Sequence, residues 1–269
     1  MTLRFTILGC GFSGGVPRPG FGWGACNPNN PKNRRRRCSL LVERKGPDGG
    51  CTRVLVDTSP DLREQLLDAG VNDLDAVLFT HEHADHLHGI DDLRSLVIRH
   101  KRRIDVYFDE PTAHVMHNRF GYCFKTPPGS SYPPILNEHR LTPAQPVAIA
   151  GRGGPVTAVP FLQEHGGVPS LGLRFGTLAY SPDVKDVPPD SLPFLQGLDV
   201  WIVDALFYRQ HYSHFSVADA LAWIERVQPK RAILTHMHAD LDYDELRAKL
   251  PPHVEPAYDG LTITLPDRP

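Results

Sequence analysis

The chain has 269 residues, 41% hydrophobic and 22% charged, ordinary values for a globular protein. A formal net charge of −2 exerts no general pull toward nucleic acid or membrane, so any anion binding must be local. Five cysteines without tight repeated spacing argue against a disulfide framework and point to a reducing compartment. The start MTLRFTILGCG lacks the pattern of a signal peptide, and no stretch approaches the roughly 18 apolar residues of a membrane span, so a cytoplasmic protein is expected.

In chain order, apolar β-branched runs bounded by Gly, Pro or Asp predict strands at Leu3–Leu8, Ser39–Glu43, Arg53–Asp57, Ala76–Thr80 and Asp105–Phe108. The second half adds Val156–Phe161, Leu171–Phe175, Leu178–Tyr180, Val200–Asp204, Arg231–Thr235 and Leu261–Leu265. A helix is expected to open at Ser59, with Pro60 in its first position, and to stop at Gly70. Another should start at Ser216 and carry Ala220, Leu221, Ile224 and Val227 at helical spacing before Pro229. Lys125–Pro146 holds six prolines and no period, which reads as a long loop near the site. Strands with helices interspersed in both halves predict an α/β protein of layered sheets and outer helices. No linker divides residues 1–269, so one domain is expected.

The densest chemistry lies in THEHADHLHG, Thr80–Gly89, directly after an apolar strand. On a loop leaving a strand, His81 and His83 can reach one ion while Asp85 and His86 turn toward a second. Imidazole and carboxylate ligands with no thiolate nearby suit zinc, manganese or iron. Four residues cannot saturate two ions. His165, Asp183 and His236 each follow an apolar strand, the same placement as the first cluster, and RAILTHMH in the second half echoes AVLFTHEH in the first.

Three further features have two readings each. The glycine-rich LGCGFSGGVPRPG, with Ser13, Gly14 and Gly15, is either a tight turn or a loop offering N–H groups to an anion. His214 stands just before the helix at Ser216, whose N-terminus favours anions; it either packs there or serves a phosphoryl or leaving oxygen. Arg34–Arg37 is either a solvated face or an alternating segment that aims one or two guanidiniums at a phosphate.

The H-x-H-x-D-H pattern of His81, His83, Asp85 and His86, with His165, Asp183 and His236 following in order, resembles the metallo-β-lactamase superfamily. The resemblance implies an αββα four-layer sandwich with two divalent metal ions, zinc or manganese, at one sheet edge. It implies that His81, His83 and His165 hold one ion, that Asp85, His86 and His236 hold the other, and that Asp183 bridges. HFS at His214–Ser216 and the GFSGGVPRPG loop resemble the phosphodiesterase branch, which includes the tRNA 3′-end processing endonuclease and phosphoribosyl 1,2-cyclic phosphate phosphodiesterase. That branch implies hydrolysis of a small cyclic or nucleotide-like phosphodiester by a hydroxide shared between the ions. Asp85 and His214 would be catalytic, and Ser13, Gly14, Gly15 and Ser216 would touch substrate. The cyclic phosphodiesterase group carries a cysteine cluster for a structural zinc, and this chain departs from it, keeping only Cys26 before NPNNPKN. With net charge −2 and no separate basic arm, a long nucleic acid is not an expected partner. A homodimer is compatible with this reading. The rivals are a thioesterase or lactonase on the same metals and a non-catalytic nucleotide- or metal-binding relic.

Overall fold

The computed structural model describes residues 1–267. Seven strands make the first sheet: β1 (Thr2–Gly9), β2 (Ser39–Lys45), β3 (Cys51–Val56), β4 (Ala76–Leu78), β5 (Ile104–Phe108), β6 (Leu136–Arg140) and, beside β1, β14 (Thr262–Pro266). The second sheet runs in chain order from β7 (Val147–Ile149) through β8 (Val156–His165), β9 (Val168–Phe175), β10 (Leu178–Ser181), β11 (Val200–Asp204) and β12 (Arg231–Thr235) to β13 (Val254–Pro256).

Side-chain alternation sorts the two faces of the first sheet. Leu40, Val42, Val54 and Val56 join a core shared with Leu173, Trp201 and Ile233 of the second sheet. Leu41, Leu55 and Val77 face the other way, against helices α1 (Leu62–Asp68), α2 (Ala84–Leu87), α3 (Arg94–His100) and α4 (Glu110–Phe120). Helices α5 (Val217–Val227) and α6 (Tyr243–Lys249) bury Ala220, Ile224 and Leu246 against the second sheet. The layers are thus helix, sheet, sheet, helix, as the resemblance implied.

Strand direction places the functional edge. β3 to β6 pair in parallel, as do β10 to β13, while the remaining pairs are antiparallel. The C-terminal ends of β3, β4, β10, β11 and β12 therefore open where ligands bind in parallel sheets. The Leu171 N–H donates to the Thr80 carbonyl at 2.9 Å and ties the two sheets together there.

The differences from expectation have local causes. The first helix starts at Leu62, not Ser59, because the Ser59 hydroxyl accepts the Asp61 N–H at 3.1 Å and holds a turn ahead of it. Residues 125–146 are not all loop: β6 adds to the sheet edge and β7 begins just beyond, at Val147. An edge strand buries one face at most, and only Leu136 of LNEHR is buried, so its sequence carries no apolar run. The second expected helix stands, with Ser216 as N-cap in a reciprocal capping box with Asp219.

Candidate metal centre

His81 lies just past β4, His83 is the N-cap of α2, and Asp85 and His86 occupy the first turn of that helix. His165 closes β8, and Gly166 and Gly167 turn the hairpin into β9 with φ of 59° and 95°. A Cβ on Gly166 would collide with Ser213, so glycine lets this turn seat against the chain that leads to His214. Asp183 follows β10. His236 follows β12 in the left-handed region at φ 56°, a conformation that a buried histidine adopts only when its surroundings hold it there.

Hydrogen bonds set the tautomers. The Thr80 hydroxyl donates to Asp57 at 2.8 Å and so accepts from His81 Nδ1, 3.0 Å away. His86 Nδ1 donates to Asp57 at 2.7 Å, and His165 Nδ1 donates to the Ser213 carbonyl at 2.6 Å. Each Nε2 is then left as a lone pair facing the cluster. His86 Nε2 sits 2.8 Å from Asp183 Oδ2, and His236 Nε2 sits 3.3 Å from Asp183 Oδ1. Asp85 Oδ2 is 3.5 Å from both imidazoles.

Ligand atoms of His81, His83 and His165 lie within 4.8 Å of one another, as do those of Asp85, His86 and His236. Asp183 groups with His81 and His86 on one side and with His165 and His214 on the other. His81 Nε2, His86 Nε2, Asp183 Oδ2 and His236 Nε2 are buried without a hydrogen-bond partner. Orphaned polar atoms are costly in a protein interior, and lone pairs this close repel unless a cation lies between them. Their donor chemistry fits a divalent metal ion.

The clustered groups act strongly on one another's charge. Burial pulls His81 well below the usual imidazole range and His165 down to about 4. Burial would raise Asp183, but His236 and His86 hold it well below the carboxylate range. Asp85 is lowered in the same way, against burial, chiefly by His86. His86 is raised against its burial by Asp183, Asp57 and Asp85.

Two buried aspartates that support these imidazoles were not singled out from sequence. Asp57, at φ 63°, anchors His86 and Thr80. Asp204 Oδ2 accepts from His214 Nδ1 at 2.7 Å, and its Oδ1 is 3.8 Å from His236 Nδ1. The available signal was that RVLVD and VWIVD both end apolar strands in aspartate, the placement that drew notice to Asp183. His214 stacks on His236 with centroids 4.6 Å apart and lies 4.5 Å from the His165 ring.

The other sequence-chosen residues are placed differently. Ser216 is fully buried, and its hydroxyl donates to Asp219 while accepting from Asp219 N and Gln210 Nε2, which leaves nothing for a substrate. Ser13 is exposed, whereas the space beside Gly14 is filled by Phe12 and Arg18, and that beside Gly15 by Arg35 and Arg37. Within the arginine run, Arg36 pairs with Asp68 and Asp259, Arg37 pairs with Asp61, and Arg35 is buried. The Arg35 guanidinium donates to the His238 and Leu241 carbonyls at 3.2 and 2.7 Å and lies 3.9 Å from Cys26 Sγ. A protein cation thus stands beside Cys26, which belongs to no metal-binding cluster among the described residues.

A metallo-hydrolase fold with a His/Asp cluster at the sheet edge is the class this architecture defines. Residues 52–237 match the β-lactamase superfamily domain, and the chain belongs to that superfamily. It is 33% identical to a diphosphatase from the PhnP family, whose crystal structure superposes with a TM-score of 0.87 over 98% of both chains. It is 34% identical over 271 residues to an octanoyltransferase of Porphyromonas gingivalis, covering 99% of this chain and 52% of that protein. An 86-residue stretch is 38% identical to ribonuclease Z of Methanopyrus kandleri, covering 31% of this chain and 28% of that one. The chain spans about half the length of the first of these curated relatives, and its match to the second covers 28% of that protein. Among the described residues, no helix is long and apolar enough to cross a membrane.

Proposed function

We propose that the protein is a binuclear metal-dependent phosphodiesterase acting on a small cyclic or nucleotide-like phosphodiester, of the phosphoribosyl 1,2-cyclic phosphate type. The observation that carries this reading is the His214–Asp204 pair set against the metal-ligand cluster. His81, His83 and His165 would hold one ion, and Asp85, His86 and His236 the other, with Asp183 between them. Zinc or manganese bound there would supply Lewis acidity to the phosphate oxygens and acidify water.

The chain's own groups then have separate tasks. Asp204 fixes His214 through Nδ1, which leaves Nε2 to deliver a proton to the leaving oxygen. Asp57, Thr80 and the Ser213 carbonyl hold three imidazoles in the tautomer that presents Nε2. Asp85, between His86 and His236, orients the attacking water. Similarity to proteins named as a diphosphatase and a ribonuclease supports phosphoester chemistry.

A thioester or lactone substrate is the second reading, favoured by the similarity to an octanoyltransferase. Acyl hydrolysis by the same metals would have no use for the His214–Asp204 pair. The test is a rate comparison on linear and cyclic phosphodiesters and on acyl thioesters, with wild type and His214→Ala. Phosphodiesters should turn over faster, and His214→Ala should lower kcat about 10²- to 10⁴-fold with metal content retained. Preferred thioester hydrolysis, or loss of metal in place of turnover, would overturn the assignment.

A further inference from the structure

The residues Asp183, Val184 and Lys185 tie the metal cluster to the segment that carries His214. The Asp183 side chain lies in the ligand cluster, while its carbonyl accepts from Gln163 Nε2 at 3.3 Å and Ser170 Oγ at 2.6 Å. The Val184 N–H donates to Asp204 Oδ2 at 3.1 Å, and its carbonyl accepts the Phe215 N–H at 2.8 Å. The Lys185 N–H donates to the Glu164 carbonyl at 2.6 Å, one residue before His165. Its side chain then reaches back over the His214 segment.

The Lys185 ammonium meets three acceptors there: Gln210 Oε1 at 3.2 Å, Asp219 Oδ2 at 3.3 Å and the His214 carbonyl at 3.5 Å. An ammonium has three donors, so this set engages all of them and leaves none for a substrate anion. Two of the acceptors are themselves linked. Gln210 Nε2 donates to Asp219 Oδ1 at 3.0 Å and to Ser216 Oγ at 3.1 Å, and Asp219 Oδ2 accepts the Ser216 N–H at 3.0 Å. His214 lies inside that closed network.

Helix-end electrostatics alone do not account for a lysine here. Lys185 stands at the N-terminal end of α5, where the helix dipole favours negative charge. Asp219 already supplies that charge and completes the capping box with Ser216, so the cap needs no cation. What Lys185 adds is the contact with the His214 carbonyl, while Asp204 holds the His214 ring through Nδ1 at 2.7 Å. The neighbours of His214 are fixed from the same two sides, the Ser213 carbonyl by His165 Nδ1 and the Phe215 N–H by Val184.

We infer that Lys185 is a positioning residue for His214, holding its backbone so that Nε2 keeps its place beside the metal cluster. It rests on the reading that His214 delivers a proton to the leaving oxygen of a phosphodiester.

The kinetic arm measures kcat and KM on one cyclic phosphodiester for wild type, Lys185→Met, Lys185→Arg, His214→Ala and the double variant Lys185→Met/His214→Ala. Lys185→Met should lower kcat about 10-fold, with metal content and circular dichroism unchanged. Its KM should stay within about 2-fold of wild type. Lys185→Arg, which keeps the charge, should recover part of the loss. In the His214→Ala background Lys185→Met should cause no further fall, because the group it places is gone. Equal falls in both backgrounds, or a loss carried by KM, would overturn the positioning role and leave the phosphodiesterase reading standing. A second arm does not depend on turnover. With isotope-labelled histidine in the full chain, Lys185→Met should shift the ring NMR signals that His214→Ala deletes, and unchanged signals would overturn the role. If wild type hydrolyses no phosphodiester, the phosphodiesterase reading fails and the ring signals alone decide whether Lys185 places His214.

Discussion

Asp57 braces His86 from behind, with 2.7 Å between a carboxylate oxygen and Nδ1, and both side chains are fully buried. The same carboxylate takes the Thr80 N–H and hydroxyl, each at 2.8 Å, so one residue orients His86 directly and His81 through Thr80. Asparagine tolerates the left-handed backbone at this position and keeps the volume, but it lacks the charge and one acceptor. Asp57→Asn is expected to weaken metal affinity about 10- to 100-fold while the chain stays folded. Competition with a calibrated chelator, alongside circular dichroism, reads both; unchanged affinity would remove Asp57 from the support of the site.

Arg35 supplies the positive charge around which residues 26–35 and 238–241 are folded. Removing it takes the guanidinium donors from the His238 and Leu241 carbonyls and one of two donors from Asn33 Oδ1, which keeps the Tyr243 N–H. Arg35→Met should cost about 2 to 4 kcal/mol in denaturant unfolding. Added zinc should not restore that loss. Recovery with zinc would mean that a metal, not the guanidinium, organises the segment.

Asp259 gives a pH signature outside the metal cluster. Burial raises its carboxyl to about 6, despite the Arg36 guanidinium 3.1 Å away. A carboxyl raised in the folded state binds its proton more tightly there than in the unfolded chain. Its contribution is therefore full below the unfolded value near 4 and is lost as pH rises to 6. Asp259→Asn should remove a fall of at most about 3 kcal/mol across that window. Urea titrations of both proteins from pH 4 to 7 measure it, and parallel stability curves would contradict the shift.

The α/β layering and the placement of His and Asp at strand ends were legible because they depend on periodicity and on position along the chain, whereas the αββα order came from the resemblance. Apolar strands ending in His or Asp marked His81–His86, His165, Asp183 and His236, which the structure brings into one cluster. Asp57 and Asp204 escaped notice because their roles come from contacts with His86 and His214, which only the closed fold creates. The resemblance implies that Ser216 touches substrate, yet its hydroxyl is spent on the helix cap, a competition that only the hydrogen-bond geometry reveals. The arginine run looked alike at four positions, and it was distant aspartates that distinguished Arg36 and Arg37 from the buried Arg35. Edge strand β6 was hidden by its polar sequence for the reason that edges need little burial.

The most direct test of the account is a count of metal ions per chain by equilibrium binding of zinc or manganese. Wild type should bind two, and both His83→Ala and His236→Ala should retain one tight ion, since each removes a ligand from a different group. A wild-type chain that binds one ion or none, or a His236→Ala variant that still binds two with unchanged affinity, would contradict the binuclear site.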